Sequence, residues 1–364
     1  MGEQTIDNVQ VSIIMPAYNA ARYIRKSIMS VLNQSVREIE LIIVDDGSVD
    51  NTLAICQKLS AKDPRIHVIH QENKGVSAAR NVALCAAKGK YICFLDADDW
   101  MPSNALENLM SLERNNGEAL LLGCIEVVAS MRNWKISCGD HDVSISQSAE
   151  WAQFIFDYKS SLGYIAGKLL NNEIIQNHHL RFQEDMHFSE DACFIYHYLQ
   201  YCRSVQSSSE IVYEYNRMNE LAATSQYHSD QVDNKLKFLA EQFRLLDHVN
   251  KTDEVMQYAA NGLLWQIKDI AAYHVYYHPM GSNKELTIQA CELLCDFINR
   301  QNICIDSVFQ KDLVGRLFIR HDYEAIYHHF CEIKPRSEEK TNSIKLVFRK
   351  FYTTLRRMYI MHSI

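Results

Sequence analysis

Between positions 11 and 95 the chain alternates two hydrophobic patterns. Four short runs are almost continuously apolar: Val11-Ser12-Ile13-Ile14-Met15, Leu41-Ile42-Ile43-Val44, Ile66-His67-Val68-Ile69 and Tyr91-Ile92-Cys93-Phe94-Leu95. The segments between them carry helical spacing. Ile24, Ile28, Val31 and Leu32 share one face. Residues 52–59 follow Asp50 and Asn51, either of which can cap a helix start. Residues 76–87 are rich in alanine and stop at Gly89. Apolar strands separated by helices predict a parallel sheet covered on both faces, an α/β architecture. Ligands of such sheets sit beyond the C-terminal strand ends. Here those ends carry Pro16-Ala17-Tyr18-Asn19, Asp45-Asp46-Gly47-Ser48, His70-Gln71-Glu72-Asn73-Lys74-Gly75 and Asp96-Ala97-Asp98-Asp99.

Beyond about Tyr227 strand signals fade and helical periodicity takes over, from 232 to 248, from 255 to 277 and from 284 to 299, with a break at Pro279-Met280-Gly281-Ser282. His274 and His278 are four apart on one of these helices, but no third ligand accompanies them, so packing or surface use is expected. The expected organisation is an α/β domain over 1–226, a helical module over 227–333, and a linker and tail over 334–364. Residues 343–361 combine Leu346, Val347, Phe348, Phe351, Leu355 and Met358 with Lys345, Arg349, Lys350, Arg356 and Arg357. On a helix this is a basic amphipathic segment. It can lie on an anionic membrane surface, pack on its own domain, or meet a second subunit in a homo-oligomer.

Composition narrows the function classes. The chain has 364 residues, 47% hydrophobic and 23% charged, with a net charge of −8. The acidic balance argues against a nucleic-acid partner. Eleven cysteines without a C-x-x-C pair indicate neither a zinc ribbon nor a disulfide framework. Cys291 and Cys295, four apart, read as helix packing. No run approaches the roughly 18 apolar residues of a spanning helix. The polar N-terminus lacks a leader pattern, and Ile6 breaks the myristoylation pattern. A cytoplasmic location is expected, or a peripheral one on the cytoplasmic face of the inner membrane.

The densest chemistry lies at Asp96-Ala97-Asp98-Asp99. Three carboxylates within four positions repel each other, and a divalent cation removes the conflict. Hard oxygen ligands suit Mg²⁺ or Mn²⁺. No G-x-G-x-x-G follows the first strand and no Walker loop occurs, so a phosphate-bearing ligand needs another holder, and a metal on Asp98 or Asp96 is the natural one. Asp45 can accept a hydrogen bond from a base or ribose. Tyr18 can stack on a base, and Arg80 can face phosphate or base oxygens.

These four blocks resemble glycosyltransferase family 2. Residues 11–19 are similar to its opening, Ile43-Val44-Asp45-Asp46-Gly47-Ser48 with Asp50 to its nucleotide turn, Asn73-Lys74-Gly75-Val76-Ser77-Ala78-Ala79-Arg80-Asn81 to its third block, and Phe94-Leu95-Asp96-Ala97-Asp98-Asp99 to its D-x-D block. The resemblance implies a GT-A fold, with residues 1–100 as donor half and 101–226 as acceptor half. It also implies a nucleotide-sugar donor, a divalent metal and inversion at the anomeric carbon. Carried over, Asp45 contacts the base, expected to be uracil. Pro16, Ala17, Tyr18, Asp46, Lys74, Arg80 and Ala97 line the donor site, Asp96 approaches the ribose, and Asp98 ligates Mn²⁺ or Mg²⁺. Asp99, Trp100 and Lys168 are assigned to the acceptor side.

An inverting transfer needs a base opposite the leaving group. Downstream, Glu184-Asp185 and Glu190-Asp191 are the candidates. Glu190-Asp191-Ala192-Cys193-Phe194 resembles the family's E-D-x-x-F block, placed after Gly167-Lys168-Leu169. On that match Asp191 is the base and Glu190 its neighbour. The expected activity is transfer of a hexose or N-acetylhexosamine from a UDP-sugar to a hydroxyl of a glycan or lipid-linked acceptor, in bacterial surface polysaccharide synthesis. Two other readings are a sugar-nucleotide pyrophosphorylase, which would need a Gly-rich N-terminal loop, and a nucleotide-sugar-binding protein, which would tolerate a damaged metal or base block.

Overall fold

A computed structural model describes residues 9–333 except 115–116, 131, 138, 157–160, 218–229, 277–282, 302 and 304. The linker and basic tail at 334–364, the break at 279–282 and the side chains of His274 and His278 lie outside the described residues.

The first half folds as its apolar rhythm requires. Strands β1 (Val11–Ala17), β2 (Ile39–Asp46), β3 (Ile66–Gln71) and β4 (Tyr91–Phe94) alternate with helices α1 (Ile24–Leu32), α2 (Thr52–Ser60) and α3 (Val76–Ala86). All four strands run parallel, in the spatial order β3-β2-β1-β4. Every residue of β1, β2 and β4 is buried, which is why the runs are continuously apolar rather than alternating. Ile13, Met15, Leu41 and Ile43 share one core with Ile24, Ile28 and Val31 of α1 and Cys56 and Leu59 of α2. Helix α3 packs against β1 and β2.

The strand order reverses between β1 and β4, because the chain first builds outward from β1 to β3 and then returns to β1's other side. Ligands of such sheets sit at the switch point, and Tyr18 and the Asp96–Asp98 run follow the two neighbouring strands that flank it.

After α4 (Ala105–Met110) the sheet continues through strands that alternation did not predict: β5 (Ala119–Val128), β6 (Trp134–Ile136), β7 (His141–Ser144), β8 (Lys168–Asn171) and β9 (Ser204–Asn216). The full order is β3-β2-β1-β4-β8-β5-β9-β7, with β6 on β5. Strand β8 runs antiparallel to both neighbours, through Tyr91↔Asn171 and Ile92↔Leu170 on one side and Leu121↔Leu169 and Leu122↔Lys168 on the other. Helices α5 (Ser148–Phe156), α6 (Asn172–Asn177) and α7 (Glu190–Leu199) complete this region. Asn171 caps α6 by accepting the Glu173 N–H at 2.8 Å.

The remainder is helical: α8 (Gln231–Arg244), α9 (Asp253–Tyr276), α10 (Lys284–Gln301), α11 (Asp306–Phe309), α12 (Leu313–Ile319) and α13 (Tyr323–Ile333). Backbone packing separates two compact units. One comprises residues 1–263 with 301–307, the other 264–300 with 308–364. In the first, α8 packs on α7. In the second, Asp312 caps α12 through the Gly315 N–H at 3.2 Å and pairs with Lys268 at 2.5 Å, and Phe318 sits between Phe309 and Tyr323.

Candidate active site

Two loops at the β1 and β2 ends are stitched together first. Asn19, in the left-handed region at φ 49°, accepts the Val49 N–H at 2.9 Å and donates its own N–H to Ser48 Oγ at 3.0 Å. Asp50 accepts the Ala21 N–H at 3.1 Å, and Thr52 Oγ1 accepts the Ala20 N–H at 2.8 Å. Asp50 therefore spans to the next loop as well as turning its own chain onto α2. Pro16 and Ala17 are buried in β1, whereas Tyr18 is 52% exposed at its end.

The two carboxylates ending β2 point to opposite faces of the sheet. Asp45 is fully buried. Its Oδ2 meets His70 Nδ1 at 2.8 Å, and its Oδ1 has no hydrogen-bond partner. His70 stands directly across from Asp45 in the β2–β3 register. Asp46 is fully engaged: Oδ1 accepts the Lys74 N–H at 2.9 Å and Gln71 Nε2 at 2.7 Å, and Oδ2 accepts the Gly75 N–H at 2.9 Å. Its oxygens shape the 71–75 loop that enters α3. Lys74 offers its backbone N–H to that loop and leaves its side chain exposed.

Arg80, on the buried face of α3, has a side chain only 4% exposed. Its Nη1 lies 2.5 Å from Asp191 Oδ1 and 3.5 Å from Glu190 Oε1, and its Nη2 lies 3.2 Å from Asp96 Oδ1. One guanidinium thus joins the loop after β4 to the first turn of α7, and the three carboxylates hold it protonated against the opposing cost of burial. Ser189, at φ 62°, turns the chain so that Glu190 and Asp191 start α7. Asp191 Oδ2 accepts the Ile165 N–H at 3.3 Å. Burial pushes the Asp191 carboxyl up to about 7. Arg80 opposes the rise, and Glu190 and Asp96 add to it.

The D-x-D run splits by depth. Asp96 and Asp98 are partly exposed, while Asp99 is buried. Asp99 Oδ2 accepts Tyr213 Oη at 2.5 Å and Oδ1 accepts the Asn216 N–H at 2.7 Å. Burial, with Asp96 and Asp98 nearby, pushes the Asp99 carboxyl up to about 8 against those hydrogen bonds. The Asp96 N–H donates to the same Tyr213 Oη at 3.3 Å, and the Ala97 carbonyl accepts Ser27 Oγ at 2.8 Å. Asp99 was assigned to the acceptor side. It instead faces β9 and fastens the loop to it. Trp100 is 8% exposed, bridges to Glu214 through its backbone, and carries Lys26 over its ring.

Lys168 also departs from its expected place. It is fully buried, and its ammonium donates to the carbonyls of Tyr164 and Ala166. It holds the loop before β8 rather than reaching an acceptor itself. Glu184 pairs with Asn81 Nδ2 at 3.0 Å and Asp185 with Lys237 at 2.6 Å, away from Arg80's cluster of partners.

The carboxylates suit a divalent cation held jointly with a substrate. Among the described residues no three His, Cys, Asp or Glu side chains gather into a cage. Mg²⁺ and Mn²⁺ do not need one: one or two carboxylates, diphosphate oxygens and waters fill an octahedral shell. Asp99 is buried against β9, whereas Asp96 and Asp98 are partly exposed.

His70, Tyr213 and the Ile165 N–H were not singled out by sequence. Aligning the second and third apolar runs places His70 beside Asp45, so that signal was available. The other two depend on contacts more than twenty residues apart in the chain.

A family model described as glycosyl transferase family 2 matches residues 12–165. That span opens in β1, includes both strand-end carboxylate blocks, and closes at the residue whose N–H meets Asp191. Over that span the chain carries a glycosyl transferase family 2 domain. A Bacillus subtilis protein named as a glycosyltransferase, EpsH, is 27% identical over 310 residues, 83% of this chain and 85% of its own length. The chondroitin synthase of Pasteurella multocida is 45% identical over 97 residues, which are 27% of this chain and 10% of that protein. Among solved structures, Staphylococcus aureus TarS in complex with UDP-GlcNAc matches with a TM-score of 0.67 at 19% identity, over 90% of this chain and 93% of that one. The fold is therefore GT-A, as the resemblance implied, followed by a helical C-terminal region. Glu190 and Asp191 lie beyond the matched span, so their claim to the site rests on Arg80.

Proposed function

We propose that this glycosyltransferase moves a hexose or N-acetylhexosamine from a UDP-linked donor to a hydroxyl of a glycan or lipid-linked glycan, with inversion, in surface polysaccharide synthesis. The observation that carries the reading is the single guanidinium of Arg80 joining Asp96 at the donor-side strand end to Asp191. Support for a uridine donor comes from the unpartnered Oδ1 of buried Asp45, which suits the imide N–H of uracil, and from the UDP and UDP-GlcNAc named in the TarS complexes. The named chondroitin and hyaluronan synthases among the relatives support a polysaccharide product.

In this reading Tyr18 stacks on the base, Pro16 and Ala17 form the pocket floor, and Asp96 reaches the ribose. Asp98 would hold Mn²⁺ or Mg²⁺, which when bound offsets the charge of the departing diphosphate. Asp191 takes the proton of the acceptor hydroxyl. The acceptor oxygen bonds to the anomeric carbon from the face opposite the leaving group. The bond from that carbon to the diphosphate oxygen breaks, and UDP leaves with the electron pair. No sugar–enzyme bond forms. A carboxyl raised to about 7 is well matched to this task, since a base works best near the working pH.

The test is Asp191→Asn. Transfer should fall about 100-fold or more, while UDP affinity measured by calorimetry with Mn²⁺ stays within a few-fold. Full transfer by the variant would place the base elsewhere.

A further inference from the structure

Removing Lys168 and Asp99 from the acceptor side leaves the question of what meets the acceptor. The answer lies along the loop that supplies the Ile165 N–H. Tyr164 immediately precedes that N–H and is 46% exposed, one of the largest open apolar surfaces in the first unit. Its backbone is not free to drift. Its carbonyl is held by the buried Lys168 ammonium, and the next residue is tied to Asp191. An exposed aromatic ring is thus held in place on both sides of its peptide, one residue from the contact to Asp191.

The neighbours of Tyr164 set its surroundings. The loop of Tyr164 runs beside β5, where the Gly123 N–H donates to the Gly167 carbonyl at 3.0 Å, and the same strand pairs Val127 with Trp134 and Val128 with Asn216. Arg217 is exposed at the end of β9 and lies 5.7 Å from the ring centroid of Trp134, which is partly exposed on β6. Its backbone N–H is fixed to the Val128 carbonyl at 2.9 Å. Tyr164, Trp134 and Arg217 therefore border the same stretch of β5, next to the loop tied to Asp191. A pyranose presents a face of weakly positive C–H bonds, and the face of an aromatic ring is negative. An exposed guanidinium binds a carboxylate or phosphate in a planar, two-pronged fashion. In a chain of net charge −8, an open arginine beside the site is also the part of the surface that would draw an anion.

We infer that Tyr164, Arg217 and Trp134 form an acceptor subsite for an acidic sugar, whose ring stacks on Tyr164 and whose carboxylate or phosphate meets Arg217. This rests on the glycosyltransferase reading above and adds the chemical class of the acceptor. Tyr164 and Arg217 are specificity residues here. Neither exchanges a proton or touches the donor.

The experiment uses the full chain saturated with UDP and Mn²⁺, with saturation-transfer NMR on three probes: methyl β-glucoside, methyl β-glucuronide and methyl β-glucoside 6-phosphate. One or both acidic probes should saturate at concentrations at least 5-fold below the neutral one, and their relative strengths separate carboxylate from phosphate as the recognised group. Tyr164→Ala should abolish the ring-proton signals of all three, and Tyr164→Phe should restore them. Arg217→Gln should bring acidic and neutral probes to equal affinity while the ring signals persist. Equal binding of acidic and neutral probes by the parent chain would overturn the inference, as would unchanged binding after Tyr164→Ala or the absence of any probe signal. UDP binding in the same samples keeps the two readings apart. If UDP binds and the probes fail, the subsite alone is wrong. If UDP does not bind, the donor reading fails first.

Discussion

At the scale of single residues, neighbouring carboxylates of the same block have different environments and should have different phenotypes. Asp98 is partly exposed, whereas Asp99 satisfies Tyr213 and Asn216 in the interior. Asp98→Ala should abolish metal-stimulated transfer and shift the thermal midpoint little. Asp99→Ala leaves a buried hydroxyl and a buried N–H without an acceptor, at a cost of about 1–3 kcal/mol each. Its thermal midpoint should drop by several degrees. Differential scanning fluorimetry beside a transfer assay separates the two. Asp191 sets the pH response. Its raised carboxyl must be unprotonated to accept a proton, so kcat/KM should be level above about 7 and fall about tenfold for each pH unit below it. A profile level down to pH 5 would exclude Asp191 as the base. The sequence displayed the residue types of the site but not their depth. Nothing in Asp96-Ala97-Asp98-Asp99 marks the fourth position as the buried one. That is decided by Tyr213 and Asn216, more than a hundred positions away.

At the scale of elements, the parallel strands were readable because both faces of β1, β2 and β4 are covered, which forces uninterrupted apolar runs. Strands β6 and β7, reading WKI and HDVS, are short and polar, and β9 opens with a run of serines. These strands are made by their pairing partners rather than by local pattern, so pattern reading passed over them. The helix starts and ends of α1, α2 and α3 fell within about two residues of expectation, since each is bounded by a polar turn or a glycine. One such turn is testable. Gly47 has φ +72°, and a Cβ there would lie 2.8 Å from the Asn73 backbone nitrogen. Gly47→Ala should therefore displace the loop that Asp46 organises. Left-handed strain of about 1–2 kcal/mol adds to the clash. The expected result is a lower thermal midpoint together with a several-fold weaker UDP affinity by calorimetry. Weaker UDP binding without loss of stability would instead point to a direct ligand contact at position 47.

At the scale of the whole molecule, the chain passes from its first compact unit into the second within α9 and revisits the first at 301–307. No helix among the described residues is long and apolar enough to cross a membrane. The basic amphipathic pattern at 343–361 is the segment suited to lying on an anionic membrane surface. Deleting residues 343–364 should reduce co-sedimentation with vesicles containing anionic lipid, by about tenfold at low salt, and leave co-sedimentation with neutral vesicles unchanged. Equal sedimentation of the full and shortened chains with anionic vesicles would assign the tail to packing instead.

Strand β8 gives the molecule a further property. It is four residues long and meets each neighbour through two register pairs. The donor-side strands and β5, β9 and β7 are joined in the sheet through it. In mechanical terms the sheet is two broad panels sewn along a narrow seam, with Asp98 on one panel and the Tyr164 loop running straight into the stitching. The Asp99 and Trp100 bonds to β9 bridge the same divide from the loop side, so the two panels are held at two points rather than one. Shortening β8 would leave that loop as the remaining tie between them.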